Sequence, residues 1–349
     1  MKLLVSAIEP SANIHLKELK KHLSSDVEFI GLFDKSLGNP LEDLSTMAVM
    51  GFVDAIKKIK YFLNLKKQMV TLAKDADKVL LMDSSGFNLP LAKELKKTYP
   101  NLEIIYYILP QAWAWRKSRI KVIEQVCDKL YSILPFEQNF YTKKEKIKYV
   151  GHPLLDEINE FKTDTNTKNS IVYMPGSRRS EIKRLMPIFR QVSQNIGNNK
   201  KHILVIPKNF SAQNLKDIYG DISGFEVSYN AHKELYNCEF AFICSGTATL
   251  EAALIGTPFT LAYIAKKVDF FIGKYVIKID KIGLANIFFD KMDHSVLHNE
   301  LLQENVTVEN LIFEYTHKDS QKFLNKSFQL RNYLAHGSSK VVANLIENK

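Results

Sequence analysis

Short apolar runs alternate with longer amphipathic stretches from Lys2 to the end of the chain, and this alternation restricts the fold more than any other feature. Lys2–Ala7 carries apolar side chains at successive positions, which suits a strand covered on both faces. Further strands are expected at Val27–Phe33, Lys78–Met82, Ile104–Ile108 and Lys129–Ile133. Helical periodicity separates them over about 15–23, with Ser11 and Asn13 as cap-type residues, then over 52–74 and 89–98, and beyond a loop within 113–126. The second half repeats the rhythm, with strands at Ser170–Met174, His202–Pro207, Glu226–Ser228, Phe240–Ile243 and Phe259–Tyr263. Helices follow Pro175-Gly176-Ser177-Arg178, running to about Ile196, and Ser245–Ala248, running to Ile255, and a last one covers 321–347.

Strand–helix alternation at this spacing predicts parallel sheets with right-handed crossovers, an α/β architecture. The 349 residues suit two domains. The polar stretch 160–169, rich in Thr, Asn and Lys, reads as the seam. The expected division is 1–160 and 161–349, two doubly wound domains facing a cleft at the carboxyl ends of their strands, where ligands bind.

Composition excludes several classes. The apolar content of 46% with 25% charged residues is globular rather than disordered. The three cysteines, Cys127, Cys238 and Cys244, form no CxxC pair, which argues against a zinc ribbon or a disulfide framework and fits a reducing compartment. No metal site is expected. Glu9 and Pro10 end the first apolar run too early for a signal peptide, and no run of about 18 apolar residues suggests a membrane-spanning helix. The net charge of +10 favours anionic partners. Nucleic acid is the least supported of these, because the basic residues are dispersed and no nucleic-acid-binding signature occurs.

Two turns carry the clearest chemistry. Gly176, Ser177 and Arg178 follow a buried strand and open a helix, where glycine admits close approach and amides favour phosphate. Arg178 adds a forked permanent charge suited to diphosphate. The alternative is a plain turn with a solvated arginine pair. Ser245, Gly246 and Thr247 lie at a second strand-to-helix turn. Glu251, about two helical turns further on, could accept from ribose hydroxyls. Otherwise Ser245 caps the helix and Glu251 is a surface charge. The sequence lacks GxGxxG and GxxxxGK[ST], so a nucleotide-sugar fits better than a dinucleotide or P-loop ligand. Trp113, Trp115 and Arg116 form an aromatic–basic cluster that could face a sugar or acyl chain; the alternative is a packed strand that exposes one tryptophan and buries the other. Phe52, Ile56, Ile59, Phe62 and Leu63 recur at helical intervals among lysines, the pattern of a helix lying on an anionic membrane. The stretch 266–278 is a second basic–aromatic segment. A core-facing stripe with solvated lysines is the alternative for both.

Taken in order, Val49-Met50-Gly51-Phe52, Phe87-Asn88, Trp113-Ala114-Trp115-Arg116, Leu134-Pro135-Phe136-Glu137, Val150-Gly151-His152-Pro153, Pro175-Gly176-Ser177-Arg178 and Ser245-Gly246-Thr247-Ala248 resemble the lipid-A-disaccharide synthases over nearly the whole chain. The resemblance implies a GT-B fold of two Rossmann-like domains, with the C-terminal helix returning toward the N-terminal domain. It implies an inverting, metal-independent and cofactor-free transfer of 2,3-diacylglucosamine from UDP to a diacylglucosamine 1-phosphate, in lipopolysaccharide biosynthesis. The expected location is the cytoplasm, peripheral to the inner membrane. Arg178 matches the family's diphosphate contact, and Asn286 a further important residue, assigned here to the UDP-sugar. Ser11, Trp113, Trp115 and Arg116 are assigned to the acceptor. In the family the C-terminal segment can also exchange between subunits of a homodimer.

The chain departs from the family pattern twice. After the first strand, Ile8-Glu9-Pro10-Ser11-Ala12-Asn13 lacks the usual glycines and aspartate. Gly86 stands where many members carry a suspected catalytic aspartate. The candidate bases are therefore Asp83, Glu9 and His15, in falling order. A UDP-N-acetylglucosamine 2-epimerase and a non-catalytic UDP-sugar-binding protein are the competing readings.

Overall fold

The computed structural model describes residues 1–42, 55–115, 117–207, 210, 215–265 and 281–348. Val49-Met50-Gly51-Phe52, Arg116 and the segment 266–278 therefore lie outside the described residues. The chain divides into two compact units: Met1–Glu157 with Leu334–Lys349, and Ile158–Tyr333. The break falls just before the polar stretch expected as the seam, and the last 16 residues join the first unit rather than the second.

The first unit holds six strands: β1 Lys2–Ala7, β2 Glu28–Leu32, β3 Lys78–Met82, β4 Glu103–Tyr107, β5 Lys129–Ser132 and β6 Ile147–Tyr149. They pair in the order β2-β1-β3-β4-β5-β6, every ladder parallel. Because strand side chains alternate faces, each strand feeds two cores. Leu4, Val79, Leu81, Ile104 and Tyr106 pack with Leu65, Met69, Leu91 and Leu95 from the helices Ala55–Leu72 and Ser85–Thr98. Leu3, Val5, Leu80, Met82 and Ile105 pack on the other face with Leu16 and Leu19 of the helix Pro10–Lys20 and with Val342, Ala343 and Ile346. The near-continuous apolar strands thus follow from cover on both sides.

The C-terminal stretch is two helices, Ser320–Leu334 and Ser339–Ile346, rather than one. At the start of the second, Asp156 Oδ2 accepts from the amides of Ser338 (2.9 Å) and Ser339 (2.8 Å), and the Tyr107 and Ser338 hydroxyls pair at 2.5 Å. The Val150-Gly151-His152-Pro153 motif receives this segment: the His152 amide donates to the His336 carbonyl at 2.9 Å. Gly151 has φ +95°, and a Cβ there would stand 2.5 Å from the same carbonyl. The helix break is set by this docking.

The second unit repeats the plan with β7 Ser170–Met174, β8 Lys201–Val205, β9 Glu226–Ser228, β10 Phe240–Cys244, β11 Phe259–Tyr263 and β12 Glu300–Leu302, in the order β12-β11-β10-β7-β8-β9 and again all parallel. The helix Arg179–Ile196 buries Ile182, Leu185, Met186, Phe189 and Val192, a stripe at helical spacing, against Tyr173 and Phe242.

Both sheets contain a topological switch. From β1 the chain moves outward to β2, then returns to the other side of β1 with β3. From β7 it moves to β8 and β9, then returns to the other side of β7 with β10. Loops leaving adjacent strands at such a point diverge to opposite faces and leave a crevice, the usual ligand position in open α/β sheets. In the first unit these are the loops after Ala7 and Met82, and in the second those after Met174 and Cys244.

Candidate functional site

In the second unit, the switch point brings together the two turns singled out in the sequence. β7 and β10 are paired neighbours, so Gly176-Ser177-Arg178 and Ser245-Gly246-Thr247 leave the sheet side by side. Gly176 has φ +104°, and a Cβ there would meet Glu181 Oε2 at 2.6 Å and Cys244 Sγ at 3.1 Å. Glycine is therefore required on both conformational and steric grounds, and the first turn packs directly on the residue before the second.

The two helix N-termini differ. Arg178 precedes the helix Arg179–Ile196, and its amide donates to Glu181 Oε2 at 3.3 Å while its Nη1 donates to Glu181 Oε1 at 2.6 Å. The Arg178 side chain remains 74% exposed, and the Glu181 side chain only 6%. Hydrogen bonding to Glu181 raises the Arg178 guanidinium further above its usual range. The helix Thr247–Ile255 starts at Gly246 with no side-chain cap. Ser245 is thus not the cap that the bland alternative required. Gly246 and Thr247 are exposed, leaving amides and the positive helix end turned to solvent, a suitable cradle for anionic oxygen.

Glu251 lies on the same helix, only about one turn from its start rather than two. Its Oε2 lies 3.3 Å from His232 Nε2 of the helix Ala231–Asn237. Asn286 is placed differently from expectation. It is buried on the helix Leu284–Asp293, and its amide nitrogen donates to the His298 carbonyl and to Glu300 Oε1, both at 2.9 Å. Its Oδ1 accepts from the amides of Leu297 (2.9 Å) and His298 (3.3 Å). Both ends of the side chain are used within the fold, so Asn286 ties a helix to the strand-leading segment 297–300 rather than presenting a free amide.

In the first unit, the switch point gathers Glu9, Ser11, His15 and Asp83. The helix expected from about residue 15 starts at Pro10, since proline is well suited to the first helical position. Ser11 and Asn13 therefore lie inside it. Asn13 Nδ2 donates to the carbonyls of Ala7 (2.6 Å) and Glu9 (3.0 Å), holding the turn after β1. Ser11 is half-buried in the first helical turn. His15 Nδ1 pairs with Glu157 Oε1 and is not free.

Asp83 and Ser84 follow β3 with φ +49° and +39°. Two successive non-glycine residues in this region cost roughly 1–2 kcal/mol each, and such strain persists only where neighbours enforce it. Here Asn88 Nδ2 donates to the Met82 and Asp83 carbonyls, each at 2.9 Å, and its Oδ1 accepts from Ser6 Oγ at 2.6 Å. Tyr106 Oη also donates to the Asp83 carbonyl. The Ser84 hydroxyl donates to Glu9 Oε1 at 3.0 Å, linking the two loops across the switch point. Burial pushes the Asp83 carboxyl above its ordinary 3.8; the Ser84 amide opposes this, Glu9 adds to it and His15 opposes it. Gly86 lies on the helix Ser85–Thr98, exposed, with open space around an added Cβ.

Trp113 is half-buried against Phe136 (5.0 Å, edge-on) and Phe140 (5.8 Å between centroids). Trp115 ends the short helix Ala112–Trp115; its side chain, like Arg116, lies outside the described residues. On the helix Ala55–Leu72, Ile59 is 60% and Leu63 52% exposed. Phe62 departs from the expected outward stripe: it turns inward onto Phe87, 5.9 Å between centroids. Phe52 and the Ile56 side chain lie outside the described residues. Among the described residues no helix is long and apolar enough to cross a membrane.

Sequence reasoning gave no role to Asn88, Glu181 or His232. Glu181 carried a usable signal, since it stands three residues beyond the N-cap position, where a carboxylate returns to the cap amide. His232 carried none, because its pairing with Glu251 joins two helices distant in sequence.

Two all-parallel doubly wound sheets are the architecture of the GT-B fold. The fold is shared with the UDP-GlcNAc 2-epimerase of Neisseria meningitidis, solved with UDP-GlcNAc (TM-score 0.61, 12% identity, all of both chains). It is shared equally with the spinosyn rhamnosyltransferase SpnG (TM-score 0.60, 12% identity, 99% of this chain and 100% of that one). At such identities the likeness is one of fold alone. A family model described as lipid-A-disaccharide synthetase matches residues 3–345. The lipid-A-disaccharide synthase of Helicobacter pylori strain G27 is 50% identical over 98% of this chain and 97% of its own. That of Campylobacter jejuni strain RM1221 is 46% identical over 98% of both. The chain belongs to the lipid-A-disaccharide synthase family, and the epimerase reading is not favoured.

Proposed function

We propose that the chain transfers 2,3-diacylglucosamine from its UDP donor to the 6-hydroxyl of a 2,3-diacylglucosamine 1-phosphate with inversion, giving a β-1,6 disaccharide 1-phosphate and UDP. The acceptor hydroxyl loses its proton to a base, its oxygen forms the bond to the anomeric carbon, and the bond to the diphosphate breaks with its electrons leaving on UDP. The observation that carries this reading is the second unit's switch point, where Arg178 and an uncapped helix end stand on adjacent strands. Both favour negative charge developing on the leaving diphosphate. Glu251 serves the ribose of the same nucleotide. Asn286 acts indirectly, by holding the helix Leu284–Asp293 to the segment 297–300.

Asp83 is the base. Its carboxyl, raised by burial, is better matched to proton abstraction near neutrality than an ordinary aspartate. Glu9 and His15 act on it through charge. Trp113 and the neighbouring Trp115 and Arg116 belong to the acceptor side, with Ser11.

The enzyme works at the anionic cytoplasmic face of the inner membrane. Ile59 and Leu63 present apolar surface outward on a helix that also carries Lys60, Lys66 and Lys67, as an interfacial helix does. In vesicle flotation with anionic lipid at low salt the protein should float, and Ile59→Ser with Leu63→Ser should release it. A wild-type protein that stays wholly unbound would remove the membrane assignment.

The direct test is a radiolabelled transfer assay with the UDP-diacyl sugar and its 1-phosphate acceptor, run beside UDP calorimetry. Arg178→Ala should weaken UDP binding about 10- to 100-fold, the range for loss of hydrogen bonds to a charged group. Unchanged UDP affinity would reject the diphosphate site, and absence of labelled disaccharide from the wild type would reject the reaction.

A further inference from the structure

We infer that Glu181 is a positioning residue for Arg178, holding the guanidinium and the turn beneath it in the form that receives the diphosphate. The inference rests on the diphosphate site proposed above and gives it a second residue.

The Glu181 carboxylate contacts both ends of the turn. Its Oε1 accepts from Arg178 Nη1 at 2.6 Å, and its Oε2 accepts from the Arg178 amide at 3.3 Å. The same Oε2 lies 2.6 Å from where a Cβ on Gly176 would stand. Glu181 is 5% exposed, whereas the guanidinium it grips is mostly in solvent. Among the described residues only Nη1 of the five-donor fork is hydrogen-bonded, so the remaining donors can face a ligand. A free arginine on an exposed turn would sample many rotamers and lose them on binding. One anchored from below has already lost them, which is preorganisation. The carboxylate also opposes an incoming anion by charge. That repulsion is offset because the Glu181 carboxylate is buried and already paired with the guanidinium.

The two effects predict opposite signs, so the experiment decides between them. Glu181→Gln keeps size and shape but weakens the grip. It should reduce UDP affinity about two- to tenfold, the scale of immobilising one rotamer-rich side chain. In the Arg178→Ala background the same substitution should change UDP affinity less than twofold, because the residue it positions is gone. Glu181→Asp keeps the charge but is too short to span both contacts. It should behave like Glu181→Gln, and it carries the test if the glutamine variant fails to fold by thermal melting. Tighter UDP binding in either variant would make Glu181 a source of repulsion and overturn the inference. An equal loss with and without Arg178 would make it a support of the helix start alone, and also overturn it. If Arg178→Ala by itself leaves UDP affinity unchanged, the diphosphate site fails and the inference falls with it. That result is distinct from a site that stands while the coupling is absent.

Discussion

At the switch point of the first sheet the chain turns through two left-handed non-glycine residues, Asp83 and Ser84, whereas at that of the second it turns through glycine, at Gly176. The first turn is strained, half-buried and acidic, and is held by Asn88, Tyr106 and a hydroxyl bridge to Glu9. The second is unstrained for its residue type, exposed, basic and rich in amides. On the function proposed above, one plan of sheet supports two chemistries: the acidic turn holds a single carboxyl through strain and burial, and the glycine turn admits a diphosphate through the absence of a side chain, with its donors left in solvent.

If the acidic turn performs proton transfer and the glycine turn anion binding, substitutions should separate turnover from nucleotide affinity. Asp83→Asn should give the largest effect. It should lower kcat by about 10²- to 10⁴-fold, the range for a positioned general base, while UDP affinity measured by calorimetry stays within a factor of a few. Retention of most turnover at saturating substrates would dismiss Asp83. Gly86 offers a sharper arm, because an added side chain there has open space. Gly86→Asp should restore measurable turnover to Asp83→Asn if a carboxylate near this switch point is what the reaction needs.

The converse substitution is Gly176→Ala. Its φ of +104° and the 2.6 Å approach to Glu181 Oε2 mean that a methyl group must displace the carboxylate or the turn. UDP affinity should fall about tenfold, equivalent to about 1.4 kcal/mol, with a smaller change in kcat. An unaltered UDP affinity would show that this turn does not need its close packing, and would remove half of the contrast.

The alternation of apolar runs and helical periods placed five strands of each sheet, because strands covered on two faces are apolar throughout, but it missed the edge strands β6 and β12, whose three residues each are too few to show a pattern. The turns after Met174 and Cys244 were legible for a related reason, since glycine and small residues between a strand and a helix have few other uses. Asn286 was not legible as it stands. Its four hydrogen bonds are made to residues 297–300, more than ten positions away, and only the fold brings those within reach. The inward turn of Phe62 was hidden likewise, since its partner Phe87 lies on the next helix. The break at 335–338 depends on Asp156, just over half the chain away. Local pattern reports local structure and the apolar faces, while polar pairing across long separations needs the assembled chain.

The smallest expected effect concerns two buried glutamates, one on each side of the comparison. Glu181 of the second unit is paired with Arg178. Glu137 of the first unit, fully buried after β5, accepts from Ser132 Oγ at 2.6 Å through one oxygen, and its other oxygen has no partner among the described residues. Burial pushes its carboxyl from 4.5 up to about 8, with the Ser132 hydroxyl opposing. A folded value above the unfolded one means that the folded state holds the proton more tightly. This contribution to stability is fully present below about 4.5 and is lost as pH rises through the folded value near 8. Denaturant unfolding at a series of pH values should therefore show stability declining over that window, with a Glu137 share on the order of 1 kcal/mol per pH unit at its steepest. Glu137→Gln is uncharged at every pH and should flatten that decline. An identical slope in the variant would mean that Glu137 titrates in the folded protein as it does in the unfolded one, and that its burial does not raise its carboxyl.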